Sequence, residues 1–282
     1  MSKHPFHTIG IGVTFSPNLK ANINEAARLA LFFKSKLILI HVGDHSEEKE
    51  SVFHDHLVPF IEKNLNFSIV FQSGDPVKTI LSACDKNNID LLILGALKRE
   101  SFYKYYVGSI ARKITRKARC SVLLLINPSI ERVACQHIVV SGLDDPRTPH
   151  TIETAFYVSH QLGAERMTVV EEISKQDITI KVDDNKSLRK TTIAKERMRI
   201  KEASRVKKII DGISEELKEN IIVNSQPIFG KRGYSIGHYA QVVRADLLVM
   251  SAPNKLSFWD RLFPHDIEHI LTELPTDVLI LQ

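Results

Sequence analysis

Asp90-Leu-Leu-Ile-Leu-Gly-Ala-Leu-Lys98 and Asp246-Leu-Leu-Val-Met-Ser-Ala-Pro-Asn254 are two versions of one phrase, set 156 positions apart. Ser121-Val-Leu-Leu-Leu-Ile126 and Asp277-Val-Leu-Ile-Leu-Gln282 stand at the same separation, as do Gly74 and Gly230. Toward the N-terminus the spacing shortens. Thr8-Ile-Gly-Ile-Gly-Val13 corresponds to His137-Ile-Val-Val-Ser-Gly142 at 129, and Lys36–Val42 to Arg166–Glu172 at 130. A repeat on this scale reads as an internal duplication. The change in spacing assigns the second copy an insertion of about 26 residues between its second and third strands. The copies are expected at 1–128 and 136–282, joined near Asn127-Pro128-Ser129, where the apolar periodicity stops.

Within the first copy, short apolar runs alternate with stretches of helical period. Thr8–Val13, Leu37–Val42, Phe67–Gln72, Asp90–Leu94 and Ser121–Ile126 read as strands. Nearly unbroken Ile, Leu and Val in the second, fourth and fifth predict strands covered on both faces, as in a parallel sheet. Between the strands, Ile23, Ala26, Ala27, Ala30 and Leu31 form one helical face, and Val52, His56, Leu57, Phe60 and Ile61 a second. Val77, Ile80, Leu81 and Cys84 form a third, and Ile110, Ala111, Ile114 and Ala118 a fourth. Strands alternating with helices predict an α/β fold of two tandem doubly wound sandwiches, each with a five-stranded parallel sheet and right-handed crossovers. Ligands of such sheets bind at the carboxyl ends of the strands, so the site is sought after Val13, Val42 and Leu94.

The segment after Leu94 carries the chemistry. Gly95 leaves the strand, Lys98 and Arg99 follow, and Gly108-Ser109 opens the fourth helix. Glycine admits a close ligand, and Ser109 as N-cap with the free amides behind it would hold an anion, a phosphate above all. Simple capping of a helix explains Gly108-Ser109 equally well.

Composition sets the outer bounds. The 282 residues are 43% hydrophobic and 25% charged, as in ordinary globular proteins. Neither a bilayer-spanning run nor a signal-peptide core is present, so a cytoplasmic protein that does not enter the membrane is expected. Cys84, Cys120 and Cys135 lack a CxxC and read as reduced, packed thiols. The net charge of +5 comes from one place: residues 181–208 hold eleven Lys and Arg against four Asp and Glu. The insertion, from about 178 to 208, is expected to be a helix with one solvated basic face. It lacks the aromatic residues that stack bases or anchor at membranes, so nucleic acid is disfavoured as a partner. His265 and His269 lie i, i+4 with Glu268 between them, a spacing common on exposed helix surfaces, and no third metal ligand stands with them.

Gly95, two residues, Lys98, nine residues and Gly108-Ser109 resemble the nucleotide-binding signature of the universal stress protein family, with lysine at the second glycine. Gly74-Asp75-Pro76, His41-Val42 and Ala118-Arg-Cys-Ser-Val122 extend the resemblance over the first copy, and the duplication extends it over nearly the whole chain. It implies a Rossmann-like fold of the adenine nucleotide alpha-hydrolase type. It also implies a stress-response binding or signalling protein that holds an adenine nucleotide, ATP with Mg²⁺, in the first domain. The residues carried over are Thr14, where family members place an Asp, with Val42, Gly95, Lys98, Gly108 and Ser109. In the second copy, Ser251, Asn254, Pro264 and His265 replace the motif, and Asp144 lies near the place of the family's acid. The motif is therefore lost there, and the second domain is expected to serve as an intramolecular pairing partner, since family members pair through their last strands. A homodimer and an unidentified protein partner remain open. A slow ATP-hydrolysing enzyme and a structural adaptor with vestigial sites are the alternatives; no Ser-His-Asp or Cys-His set supplies a nucleophile.

Overall fold

The computed structural model describes residues 4–98, 105–174, 184–231, 233–252 and 266–282. They form two compact units, one of Met1–Ala134 with Asp277–Gln282 and the other of Cys135–Thr276.

The first unit runs β1 (Thr8–Val13), α1 (Leu19–Phe32), β2 (Lys36–His41), α2 (Glu47–Ile61), β3 (Phe67–Phe71), α3 (Pro76–Lys86) and β4 (Leu91–Gly95). It continues through β5 (Leu97–Lys98), β6 (Tyr105–Tyr106), α4 (Ser109–Lys117) and β7 (Ser121–Leu125). The parallel strands lie in the order β7-β4-β1-β2-β3. The chain thus winds outward on one side from β1 to β3 and on the other from β4 to β7. Leu37, Ile38, Leu39 and Ile40 are all but fully buried, as expected of a strand with helices on both faces. Ser46 caps α2 ahead of Glu47, Glu48 and Glu50, which suit the positive end of the helix dipole. Asp75 caps α3 ahead of Pro76, a residue that fits a first helical turn because its missing amide is not needed there.

The second unit repeats the order: β8 (His137–Ser141), α5 (Thr148–Leu162), β9 (Arg166–Ser174), α6 (Asn185–Asp211), α7 (Glu215–Lys218), β10 (Ile222–Gly230), α8 (Tyr234–Val242), β11 (Leu247–Ser251) and α9 (Asp266–Thr272). Its parallel strands lie in the order β10-β9-β8-β11. The aspartate that opens the duplicated phrase does the same work in both units. Asp90 Oδ2 accepts the His7 and Thr8 amides, each at 2.9 Å. Asp246 Oδ2 accepts those of Gln136 and His137 at 2.8 and 2.9 Å. Each carboxylate ties the start of one central strand to the start of its neighbour.

The expected five strands of the second copy are not all found in its own unit. The last one, β12 (Asp277–Leu281), groups with the first unit. It runs antiparallel to β7, with Val278 opposite Leu124 and Ile280 opposite Val122. The Asp277 carboxylate accepts the Ile126 amide at 2.8 Å. A fully buried apolar strand end, Val278 to Leu281, is thereby matched against another, Val122 to Leu125.

The insertion is helical. A capping box opens α6: the Ser187 amide donates to Asp184 Oδ1 at 2.6 Å, and the Asp184 amide to Ser187 Oγ at 3.0 Å. Thr191 and Val206 are buried, while Lys190, Lys195, Arg197, Arg199 and Lys201 are exposed. Residues 178–183 of the insertion lie outside the described residues. No described helix is long and apolar enough to cross a membrane.

Candidate functional site

The carboxyl ends of β1, β2 and β4 enclose a cavity of about 680 Å³, within the ~300–1,000 Å³ of small-molecule sites. It lies at the point where the winding of the sheet reverses, between β1 and β4, where the crevice of an open α/β sheet is expected. Thr14 and Val42 line it from the ends of β1 and β2, and Gly95 from the end of β4. Gly108 and Ser109 reach it from the start of α4. Five of the six residues expected from the sequence therefore share one cavity. The sixth, Lys98, lies on β5, which pairs with β6 in a two-residue antiparallel ladder; its side chain and Arg99 lie outside the described residues.

Ser109 is not the N-cap, as the spacing had suggested. Gly108 holds that place in extended conformation (φ −60°, ψ 162°), its carbonyl accepting the Arg112 amide at 2.9 Å, and Ser109 is the first helical residue. The cap has no side-chain hydrogen bond, and Ser109, Ile110 and Ala111 of the first turn, whose amides have no partner within the helix, line the cavity. The starts of α1 and α3 meet the same space through Asn18, Leu19 and Pro76. Neither α1 nor α4 carries an acidic side chain in its first turn, so their positive ends are left uncompensated.

Two further lining residues, neither assigned to the site from the sequence, bear on its chemistry. Asn22, one turn into α1, has a buried Oδ1 with no hydrogen-bond partner, and it faces Gly95: a Cβ on that glycine would stand 3.4 Å from the same oxygen. Gly95 is not in the left-handed region, so glycine serves there to leave room. An orphan acceptor beside open space calls for a donor from outside the chain. His41 is the second, 8% exposed, with Nδ1 donating to the Val13 carbonyl at 3.2 Å. Its ring is packed edge-on to Phe15 and Phe71 and tilted against Phe53, which builds a rigid wall under Val42. Asn22 stands three residues past the start of α1, and only the fold sets it opposite Gly95.

The matching positions of the second unit are taken up by its own side chains. Thr151 stands where α1 has Asn22, and Ser251 where β4 has Gly95; their hydroxyls are hydrogen-bonded at 2.6 Å. Arg147, in the place of Asn18, grips Asp145 through two bonds of 2.9 Å and donates to the Ala252 carbonyl. Asp144 is exposed and 3.8 Å from Arg205, which also donates to the Gly142 carbonyl. Glu172, in the place of Val42, accepts the Gly233 and Ile236 amides at 3.0 and 2.8 Å and so supplies α8 with an internal anion. Asn254, Pro264 and His265 lie outside the described residues. His269, on α9, lies edge-on to Tyr234.

The first unit is thus a doubly wound α/β domain of the Rossmann-like class with a cavity at its switch point. Residues 5–125 match the universal stress protein family. The match lies within the first unit and covers less than half of the chain. Over its full length it is similar in fold to a protein of unknown function from Pseudomonas aeruginosa PAO1, at 18% identity and TM-score 0.74, covering 99% of this chain and 93% of that one. A universal stress protein from Archaeoglobus fulgidus gives 15% identity and TM-score 0.66, with 98% of each chain covered. The curated proteins give no match.

Proposed function

We propose that the N-terminal unit binds an adenine nucleotide, ATP, and that the protein is a stress-response binding and signalling protein whose surface changes with occupancy of that site. The observation that carries this reading is the convergence of Thr14, Val42, Gly95, Gly108 and Ser109 on one cavity that also holds the unpartnered Asn22 oxygen. Val42 takes the adenine through its backbone, and Thr14 and Asn22 meet the ribose. Gly95 admits the sugar-phosphate, and the first-turn amides of α4 hold the phosphates. Thr14 offers one hydroxyl where family members have two carboxylate oxygens. Asn22 supplies a second oxygen from the neighbouring helix.

Binding is favoured over hydrolysis because the described lining side chains include no carboxylate to act as base or to hold a metal. A divalent ion would be carried by the phosphates, with the Ser16 and Ser109 hydroxyls as the lining groups able to meet it. The second unit is a diverged copy whose equivalent groups are spent on one another. It serves as a fixed partner for the first, since joining two copies in one chain makes their pairing intramolecular. Mass spectrometry of molecules that co-purify with the native chain, followed by calorimetric titration with ATP, tests the reading. Micromolar binding, about −8 kcal/mol, is expected. No binding of any adenine nucleotide would defeat it, and phosphate release lost in Ser109→Ala would replace it with the enzyme.

A further inference from the structure

The inserted helix α6 is 27 residues long and holds neither proline nor glycine, so it runs for about 40 Å, at about 1.5 Å per residue, without a residue that kinks it. Its inner stripe packs on β9 and β10, with Thr191 and Val206 buried and Ala194 and Met198 half-buried. Lys195 and Arg199 reach back over the Phe229 ring of β10, at 5.8 and 5.3 Å. The opposite stripe, at helical spacing, runs through Arg189, Ile193, Arg197, Ile200 and Lys207. Lys190 and Lys208 flank it. All seven are exposed, and none of the five cations is ion-paired to a described residue. Composition alone predicts a basic face left to water. The structure adds two isoleucines, 44% and 59% exposed and two turns apart, set among the cations.

We propose that this stripe docks the protein on an anionic phospholipid bilayer, with α6 lying in the plane of the headgroups. A plane meets one whole stripe of an unkinked helix at once. The cations then meet lipid phosphates along its length, while Ile193 and Ile200 reach into the layer just beneath. Nucleic acid offers the same charge but no apolar layer for the isoleucines. From Lys186 to Asp211 there is also no aromatic residue, Asn or Gln to meet a base. With two aliphatic anchors and no aromatic one, the contact is reversible and rests mainly on charge, so salt weakens it.

Sedimentation of the full chain with vesicles tests this, using equal parts phosphatidylglycerol and phosphatidylcholine against phosphatidylcholine alone. The chain is expected to sediment with the anionic vesicles at about 0.05 M salt, and to bind at least about tenfold more weakly at about 0.5 M salt. Phosphatidylcholine alone should leave it in solution. Arg189→Glu with Arg197→Glu and Lys208→Glu should lower partition onto anionic vesicles about a hundredfold. Lys78→Glu with Lys113→Glu and Lys117→Glu makes the same change of net charge on exposed residues of α3 and α4, and should leave partition within about threefold. Ile193→Ser with Ile200→Ser should lower it about tenfold with far-ultraviolet dichroism unchanged. The proposal is overturned if anionic vesicles leave the chain in solution at low salt, or if the reversals on α3 and α4 weaken binding as much as those on α6. It is equally overturned if the isoleucine variant binds as the parent does, or if the chain prefers duplex DNA to vesicles of equal anionic charge.

Discussion

Gly95 and Ser251 end the same strand of the two copies, and Asn22 and Thr151 face them from the same helix, yet the outcomes are opposite. In the first unit the glycine leaves room and the asparagine oxygen goes unpaired. In the second, two hydroxyls close on each other at 2.6 Å. The comparison continues at the end of the second strand, where Val42 lines a cavity and Glu172 instead fills the N-terminus of α8. An unsatisfied buried acceptor costs about 1–3 kcal/mol. The first unit carries that cost at a site where a ligand can remove it. The second, among the described residues, has satisfied the same positions internally.

Closing the first site should have the largest effect. Gly95→Val places a branched side chain against Asn22 and into the cavity; roughly a 100-fold loss of ATP affinity, about 2.7 kcal/mol, is expected by calorimetry, with far-ultraviolet dichroism unchanged. Undoing the internal anion of the second unit comes next. Glu172→Leu leaves the Gly233 and Ile236 amides of α8 without their acceptor, and denaturant unfolding should show a loss of about 2 kcal/mol with no change in nucleotide affinity. Asn22→Leu should cut ATP affinity about tenfold, about 1.4 kcal/mol. It should also stabilise the ligand-free chain slightly, because it removes the orphan oxygen.

The smallest effect is one of pH. Burial raises the Glu171 pKa, and the hydrogen bond from Ser225 Oγ at 2.6 Å only partly opposes this. A raised folded-state pKa means that the native chain binds more protons than the unfolded one, so this group's contribution to stability falls as pH rises from about 4.5 through the folded value. Glu171→Gln should flatten that part of the stability curve, as read by thermal melts from pH 4 to pH 8. Removal of the carboxyl also takes away its attraction to Arg205, so the gain at neutral pH is modest.

The strands were legible because burial on both faces leaves a nearly continuous apolar run; Thr8–Val13 was read to the residue and the others to within one at either end. Thr14, Val42 and Gly95 were legible for the same reason, since each stands at the end of such a run, whereas Gly108 was legible as the glycine that opens the fourth helix. What was not legible depends on tertiary placement. Ser109 and Gly108 compete for the cap, and only the backbone angles decide between them. Asn22 is one polar residue on a helix of mixed composition until the fold sets Gly95 opposite. The ladder of Leu97-Lys98 with Tyr105-Tyr106 is too short to show a period. The grouping of β12 with β7 comes from a pairing more than 150 residues distant in the chain, beyond the reach of any local pattern. Phe53, fully buried in α2, was overlooked in favour of Val52 and His56, one position off the stripe that the core selects.

Stoichiometry tests the asymmetry between the two copies most directly. Calorimetric titration of the full chain with ATP is expected to give one nucleotide per chain, with that single event removed by Gly95→Val. Two nucleotides per chain, or one that survives Gly95→Val, would place a ligand where the side chains of the second unit already hold one another, and would contradict the account.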